Sequence, residues 1–303
     1  MIETETRTRC GFVTIIGAPN AGKSTLTNAL MGTKVTIVSP KVQTTRMRVR
    51  GILMRGTTQI ILIDTPGIFA PKRRLDRAMV AAAWDGQRDA DITALIVDAS
   101  KKDVPGQVEH ILKKLPLEGK TCILILNKTD QMSKDKLLPL TKELNERYPF
   151  EATFMISALK GDGVEDIADW IAKRLPEGVY MYPEDQLTDL SERLLAAEIT
   201  REKLFHQMHE EIPYALTVET ESWEEFDDGS VKIGQLVIIA REAHKPIVIG
   251  KGGSRLKNIG LQSRLELEKI LGRRVHLNLL VRVRENWLDD PERFSIWGLD
   301  HNA

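Results

Sequence analysis

Residues 17–24 read Gly-Ala-Pro-Asn-Ala-Gly-Lys-Ser, and they constrain the fold of this chain more than any other stretch. An apolar run, residues 10–16, precedes them, and residues 25–31 have the pattern of a helix. This is the strand–GxxxxGK[ST]–helix arrangement of a phosphate-binding loop. Its glycines let successive backbone N–H groups face one concavity, and the helix N-terminus adds partial positive charge. We expect Lys23 to reach the β- and γ-phosphates of a nucleotide and the Ser24 hydroxyl to bind a Mg²⁺ ion.

The composition is that of an ordinary globular protein, and only the distribution of charge indicates a partner. The 303 residues leave room for two domains, and 43 basic residues balance 43 acidic ones. Residues 219–228 carry six acids and no base, whereas residues 241–284 carry eleven bases and three acids. No apolar run is long enough for a signal peptide or a membrane span. We expect a cytoplasmic protein in which Cys10 and Cys122 are buried free thiols.

Apolar runs alternate with amphipathic ones over residues 10–175. The pattern predicts strands at residues 12–16, 48–54, 58–63, 92–97, 121–126 and 152–156. It predicts helices at residues 21–31, 76–84, 107–115, 134–147 and 164–174. Strands joined by helices indicate an α/β fold with a doubly wound, mostly parallel sheet. The second and third strands are separated by only three residues, which predicts an antiparallel hairpin. Ligands of such sheets bind in the loops that follow the strands.

Two of these loops have the side chains needed around a nucleotide's phosphates. Asp64, after the third strand, can hold Mg²⁺ through water, and the amide of Gly67 can move onto a γ-phosphate. The polar segment of residues 42–47 contains Thr44 and Thr45, and one of these hydroxyls could complete the Mg²⁺ shell. Such a segment would be a switch that senses the γ-phosphate. The alternative interpretation is a simple connecting loop.

The loops after the fifth and sixth strands indicate a guanine site. Asp130, in the sequence Asn-Lys-Thr-Asp of residues 127–130, can accept from guanine N1–H and the exocyclic amino group. Adenine presents an acceptor at N1, so it would face the carboxylate with a lone pair. Asn127 is expected to connect this loop to the phosphate loop, and the stem of Lys128 to lie along the base. Backbone amides of residues 157–161 could reach the base's O6.

A second domain follows a composition break that begins at residue 175, where prolines and a glycine indicate a linker at residues 176–186. The pattern predicts a helix at residues 187–209 and strands at 214–221 and 231–241. Residues 250–253 form a GxxG loop, where glycine lets a sugar-phosphate backbone approach closely. A helix to about residue 271 and a strand at 274–284 complete the order α-β-β-α-α-β. The alternative is a glycine turn beneath a solvated basic face. The residues assigned to RNA binding are Gly250, Lys251, Gly252, Gly253, Arg255 and Lys257.

Together these motifs resemble those of the Era family of bacterial ribosome-associated GTPases. GAPNAGKS, QTTR, DTPG, NKTD and SALKGDG occur in the family's order, and IVIGKGGSRLKNIG resembles its KH domain. The resemblance implies a GTPase domain at residues 1–175, a linker at 176–186, an α+β type II KH domain at 187–290 and a tail at 291–303. It implies GTP and GDP binding with Mg²⁺, slow hydrolysis, and binding to the 3′ end of 16S ribosomal RNA during 30S subunit assembly. It also implies a monomer in the cytoplasm, with peripheral association to the inner face of the plasma membrane.

The resemblance assigns the nucleotide-binding residues one by one. They are Gly17, Ala18, Pro19, Asn20, Ala21, Gly22, Lys23, Ser24, Thr25, Asp64, Thr65, Pro66, Gly67, Asn127, Lys128, Asp130, Ser157, Ala158 and Leu159. Ras-like GTPases have a water-orienting glutamine after the DxxG glycine, but here that residue is Ile68. In some relatives a K⁺ ion held partly by the phosphate-loop asparagine, here Asn20, supplies positive charge. Catalysis is therefore assigned to positioning and charge, through Lys23, Asn20, Thr45 and Gly67.

Three other classes of protein share part of this pattern. A GTPase of tRNA modification or protein targeting would share the first domain but would not need the loop at residues 250–253. An RNA-binding protein with a degenerate nucleotide site would not need to retain Lys23, Ser24, Asp64 and Asp130 together. A small-molecule kinase would not need Asn-Lys-Thr-Asp.

Overall fold

The computed structural model describes residues 7–116 and 119–303, which form two compact units. The first unit comprises residues 7–36, 45–189 and 298–303. The second comprises residues 37–44 and 190–297. The segment 37–44, which the sequence places between the first helix and the second strand, therefore packs with the C-terminal half of the chain.

The first unit is built on a six-stranded sheet in the order β2-β3-β1-β4-β5-β6. Its strands are β1 (Arg9–Ile16), β2 (Val49–Arg55), β3 (Thr58–Asp64), β4 (Ile92–Asp98), β5 (Thr121–Asn127) and β6 (Ala152–Met155). The pair β2–β3 is antiparallel and the other pairs are parallel. Both the mostly parallel sheet and the predicted hairpin are confirmed. In this order, β1 lies between β3 and β4, so the loops after these three strands share one edge of the sheet.

Five helices cover the two faces of this sheet. They are α1 (Lys23–Met31), α2 (Arg74–Asp89), α3 (Val104–Leu112), α4 (Lys134–Arg147) and α5 (Val164–Ala172). One core contains Leu26 of α1 and Ile167 of α5, and another contains Ala83 of α2, Val108 of α3 and Leu137 of α4. Helices on both faces explain why β3 and β4 are buried along their whole length.

Some helix boundaries differ from those predicted from the apolar period, and side-chain capping explains the differences at the N-termini of α2 and α3. Helix α4 has the predicted bounds. Helix α3 begins three residues earlier than predicted, because the side chain of Asp103 accepts from the backbone N–H of Gly106. Helix α2 also begins earlier, because the Asp76 carboxylate accepts from the backbone N–H groups of Lys72 and Arg73 at 3.0 and 2.9 Å.

The second unit has a three-stranded sheet in the order β7-β8-β9. Its elements are α6 (Glu192–Gln207), β7 (Leu216–Glu225), β8 (Val231–Ile239), α7 (Lys245–Ile249), α8 (Ser254–Leu271), β9 (Val275–Val283) and α9 (Pro291–Ile296). Strand β8 is antiparallel to β7 and parallel to β9. The predicted order α-β-β-α-α-β is confirmed. Helix α6 begins five residues later than predicted, because the Ser191 hydroxyl accepts from Leu194 N–H and caps it.

The sequence pattern gave no assignment for residues 292–303, yet residues 292–297 pack within the second unit. Phe294 and Trp287 are each 1% exposed, and Trp287 packs edge-on against Trp297. Cys10 and Cys122 are both free and buried, as predicted. Among residues 7–116 and 119–303, no helix is long and apolar enough to cross a membrane.

Candidate nucleotide and nucleic-acid sites

The phosphate loop depends on its two outer glycines. Gly22 has φ 106° and precedes the first residue of α1, where a side chain would be strained. A Cβ there would overlap the side-chain amide of Asn127, and a Cβ on Gly17 would overlap the carbonyl oxygen of Ile96. Asn20, at φ 63°, is also left-handed, and its side chain is exposed. Ala18, Pro19, Ala21 and Thr25 complete the loop and the first turn of the helix.

Lys23 is held inside this loop. Its side chain is buried, and its Nζ donates to the carbonyl oxygens of Gly17 and Ala18 at 3.2 and 3.0 Å. Burial lowers the pKa of Lys23 to about 8, although the nearby Asp64 acts in the opposite direction. A phosphate bound in the loop would stabilise the charged form of Lys23, because its negative charge would compensate for the hydration that the buried ammonium has lost.

Three hydroxyl groups converge on the buried carboxylate of Asp64. Its Oδ2 accepts from Ser24 Oγ at 2.7 Å, Thr36 Oγ1 at 3.0 Å and Thr45 Oγ1 at 3.4 Å. Ser24 Oγ and Thr45 Oγ1 are themselves 2.9 Å apart. Burial raises the pKa of Asp64, against the lowering effect of Ser24, Lys23 and the two threonines.

These residues fit a Mg²⁺ ion. Asp64 Oδ1 is buried without a hydrogen-bond partner, so one acceptor remains for a metal-bound water. Hydroxyl and carboxylate oxygens are the ligands that Mg²⁺ prefers. Thr36 was not foreseen, because a single threonine outside any motif gives no signal in the sequence.

The two threonines of the segment 42–47 make different hydrogen bonds. Thr44 Oγ1 donates to the carbonyl of Lys41 at 2.6 Å, whereas Thr45 Oγ1 donates to Asp64. Its backbone oxygen accepts from Arg201 of α6, which is also ion-paired with Glu198. Thr45 is therefore the threonine whose hydroxyl lies beside Ser24.

Helix α6 holds the whole segment 37–44 within the second unit. The Val38 N–H donates to Glu202 at 2.8 Å, and the Val38 carbonyl lies 2.9 Å from Nε2 of His206. Lys41 donates to the carbonyl of Phe205. These contacts fix the backbone immediately before Thr45.

Asn127 joins three of the predicted loops. Its Nδ2 donates to the carbonyl of Ala21 at 2.8 Å, and its Oδ1 accepts from the N–H of Ala158 at 2.9 Å. Asn127 is buried, so neither bond competes with water. The phosphate loop, the loop at 127–130 and the loop at 157–161 are thus fixed against one another.

The remaining residues predicted to face the base lie in the loops at 127–130 and 157–161. Asp130 and Lys160 line a pocket, with Lys160 Nζ 3.9 Å from Asp130 Oδ2. Leu159 is 81% exposed, and Ser157 N–H donates to the carbonyl of Asp162 at 3.1 Å. Lys128 Nζ donates to the carbonyl of Asn20 at 2.9 Å. The stem of Lys128 therefore spans the distance from the base loop to the phosphate loop.

The DxxG loop lies against the phosphate loop. A Cβ on Gly67 would stand 2.9 Å from Cα of Pro19, so only glycine fits there. The hydroxyl of Thr65 donates to the carbonyl of Ile15 at 2.7 Å, so this side chain holds β1 rather than facing the nucleotide loop. Pro66 is buried. Ile68 is 2% exposed and packs in the apolar core, so its side chain offers no polar group to the site.

The GxxG loop of the second unit is open. Gly252 and Gly253 have φ 59° and 78°, and a Cβ on either would meet nothing within 4 Å. Lys251 and Lys257 are exposed, whereas the guanidinium of Arg255 donates to the carbonyl of Ile247. The two exposed lysines therefore present positive charge to the solvent at this loop, and Arg255 also stabilises the loop through its hydrogen bond to Ile247.

Comparisons with known proteins match both units. A family model described as a 50S ribosome-binding GTPase matches residues 12–128, and a KH-domain model matches residues 211–288. GTPase Era of Bradyrhizobium sp. (strain BTAi1) is 55% identical over 97% of this chain and 95% of its own length. GTPase Era of Sinorhizobium medicae is 56% identical over 97% of this chain and 94% of its own.

Two solved structures agree with these relatives. One is Era in complex with MgGDPNP and nucleotides 1506–1542 of 16S ribosomal RNA, with TM-score 0.90 and 42% identity. The other is a variant of Aquifex aeolicus Era bound to GDP·AlF4⁻, also with TM-score 0.90 and 42% identity. Each comparison covers 96% of this chain and 99% of the other. With identities above one half over nearly its whole length, this chain belongs to the Era family of GTPases.

Proposed function

We propose that this protein binds GTP and GDP with Mg²⁺ at residues 17–25, 64–67, 127–130 and 157–159. We further propose that it binds the 3′ end of 16S ribosomal RNA through residues 250–257 and acts in assembly of the 30S subunit. The observation that carries the nucleotide site is the buried side chain of Asn127, which bonds the phosphate loop and the loop at 157–161 together. A base bound at Asp130 would then have its phosphates within reach of Lys23.

The roles of the phosphate-side residues follow from their contacts. Lys23 exchanges its two carbonyl partners for phosphate oxygens and neutralises their charge. Ser24 and Thr45 would hold Mg²⁺ directly, and Asp64 would hold it through water. The bound Mg²⁺ supplies positive charge to the β- and γ-phosphates. The backbone of Gly67 lies against Pro19 of the phosphate loop, where its amide would be close to a γ-phosphate and could donate to it.

Hydrolysis by this site rests on positioning rather than on a general base. The buried Ile68 has no group that could orient water. Asn20, exposed at a left-handed turn of the phosphate loop, is the residue assigned to a K⁺ ion. Such a cation adds charge where developing negative charge must be stabilised. Lys23, Asn20, Thr45 and Gly67 together form the proposed catalytic set.

The RNA site of the second unit is proposed from its glycine loop and its lysines. The open space around Gly252 and Gly253 leaves room for a sugar-phosphate backbone. Lys251 and Lys257 supply charge beside it. The KH-domain match and the RNA complex of the structural neighbour support this assignment. We assign residues 1–175 to the GTPase domain, 176–186 to the linker, 187–290 to the KH domain and 291–303 to the tail.

Replacement of Gly252 by aspartate tests the RNA site. The added carboxylate would stand where a phosphate must lie, so we expect Gly252→Asp to weaken binding of single-stranded RNA with the 16S 3′-end sequence at least tenfold. Gly272→Asp is the matched control, because Gly272 also has a left-handed φ, 65°, and open space around its Cβ position. Both variants carry the same backbone strain and the same charge. Equal RNA affinities of the two variants would mean that the RNA binds at a site other than the loop at residues 250–253.

The proposed location is the cytoplasm, with peripheral association to the inner face of the plasma membrane. The family resemblance and the basic residues of 241–284 support the membrane association. Cosedimentation of the full chain with anionic and with neutral vesicles tests it. Association that is equal for both vesicle types would contradict an electrostatic attachment.

A further inference from the structure

Asp98 belongs to none of the motifs, yet it stands beside the base loop. It is the last residue of β4, and in the parallel register of the sheet it lies next to Asn127, the last residue of β5. The N–H of Ala99 donates to the carbonyl of Asn127 at 2.9 Å, which extends this register past the end of the strand. Only 9% of the Asp98 side chain is exposed.

Both oxygens of the Asp98 carboxylate are used. Oδ1 accepts from the N–H and the hydroxyl of Ser100 at 3.1 and 2.6 Å. Oδ2 accepts from Nζ of Lys128 at 2.7 Å. Because the same Nζ donates to the carbonyl of Asn20, the ammonium group lies between β4 and the phosphate loop. Lys128 and Asn20 both have φ 63°, a backbone conformation that needs support from the surrounding structure in residues other than glycine.

We propose that Asp98 is a positioning residue for nucleotide binding, acting through Lys128. Its carboxylate fixes the ammonium of Lys128 against the carbonyl of Asn20. The lysine stem is thereby held where it can lie along one face of the bound base. This inference rests on the proposed guanine role of residues 127–130.

The protonation state of Asp98 agrees with this role. Burial acts to raise its pKa, but hydrogen bonds from Lys128 and Ser100 outweigh burial, so the pKa lies below its usual value. The carboxylate is therefore ionised at neutral pH. An asparagine in its place would have no charge, and one side of its amide would present a donor to either Lys128 or Ser100. The ammonium would then lose either its hydrogen bond at residue 98 or, where the amide oxygen faces it, the negative charge of that partner.

The experiment compares Asp98→Asn, Lys128→Met and the double variant in the full-length protein. We expect Asp98→Asn to raise the Kd for GDP and for GTP about tenfold, and to leave kcat at saturating GTP within about twofold. We expect no further loss when Asp98→Asn is added to Lys128→Met, because the partner through which it acts is already absent. Asp103→Asn is the matched control, since it makes the same acid-to-amide change at the cap of α3 and should not alter the Kd.

Each outcome decides between specific alternatives. An unchanged Kd in Asp98→Asn, while Lys128→Met weakens binding, would overturn the role of Asp98 alone. Additive losses in the double variant would mean that Asp98 acts through the fold and not through Lys128. An unchanged Kd in Lys128→Met would overturn both this inference and the proposed base loop.

Discussion

Replacement of Asp130 by asparagine should change which base this protein prefers. The side chain of Asp130 is 14% exposed, so its hydrogen bonds to a base would be only partly shared with water. Guanine offers it two donors, N1–H and the 2-amino group. The side-chain oxygen of asparagine can still accept from N1–H, but its NH₂ group, a donor, would face the 2-amino group, which is also a donor.

The expected magnitude follows from these two bonds. The bond to the amino group is lost, at about 1.5–3 kcal/mol for a charged acceptor, and the bond to N1–H weakens by about 1 kcal/mol on loss of the charge. The sum of about 3 kcal/mol corresponds to a Kd for GDP raised somewhat more than a hundredfold. Xanthine carries a carbonyl oxygen at C2, to which the asparagine can donate. Asp130→Asn should therefore bind xanthosine diphosphate more tightly than GDP.

Fluorescence titration with GDP and with xanthosine diphosphate measures both effects. Asp135→Asn is the matched control, because Asp135 is an exposed acid in the first turn of α4 and belongs to none of the nucleotide motifs. Its two Kd values should equal those of the unaltered protein. If Asp130→Asn binds GDP as the unaltered protein does, the carboxylate does not read the base.

Two further predictions concern the cations. Because Ile68 has no polar group, we expect GTP hydrolysis to be faster in K⁺ than in Na⁺ at equal ionic strength, and Asn20→Ala to abolish this difference while nucleotide still binds. Equal rates of the unaltered protein in the two salts would remove K⁺ from the mechanism. Thr45→Ala should raise the Mg²⁺ concentration for half-maximal hydrolysis about tenfold, whereas Thr44→Ala should not, because Thr45, unlike Thr44, contacts Asp64. Equal Mg²⁺ requirements in these two variants would contradict the assignment of Thr45.

The sequence by itself determined the phosphate loop, the mostly parallel sheet and the two-part organisation of the chain. These features depend on short-range patterns: glycine spacing, apolar strands and the helical period of α4. The hairpin β2–β3 was equally predictable, because a parallel connection must return along the whole length of a strand and three residues are too few to do so. Helix ends were less predictable, since Asp103 and Ser191 cap α3 and α6 through single hydrogen bonds.

Only the tertiary structure decided which polar side chains meet. Thr44 and Thr45 are adjacent in the sequence and equally suited to Mg²⁺, but the hydroxyl of Thr45 contacts Asp64 whereas that of Thr44 donates to the carbonyl of Lys41. Thr36 joins the same carboxylate, and Asp98 meets Lys128 because β4 and β5 are in parallel register. The contacts Thr45–Asp64, Thr36–Asp64 and Asp98–Lys128 join residues 19, 28 and 30 positions apart. No local pattern encodes them, since they depend on where packing brings each strand end.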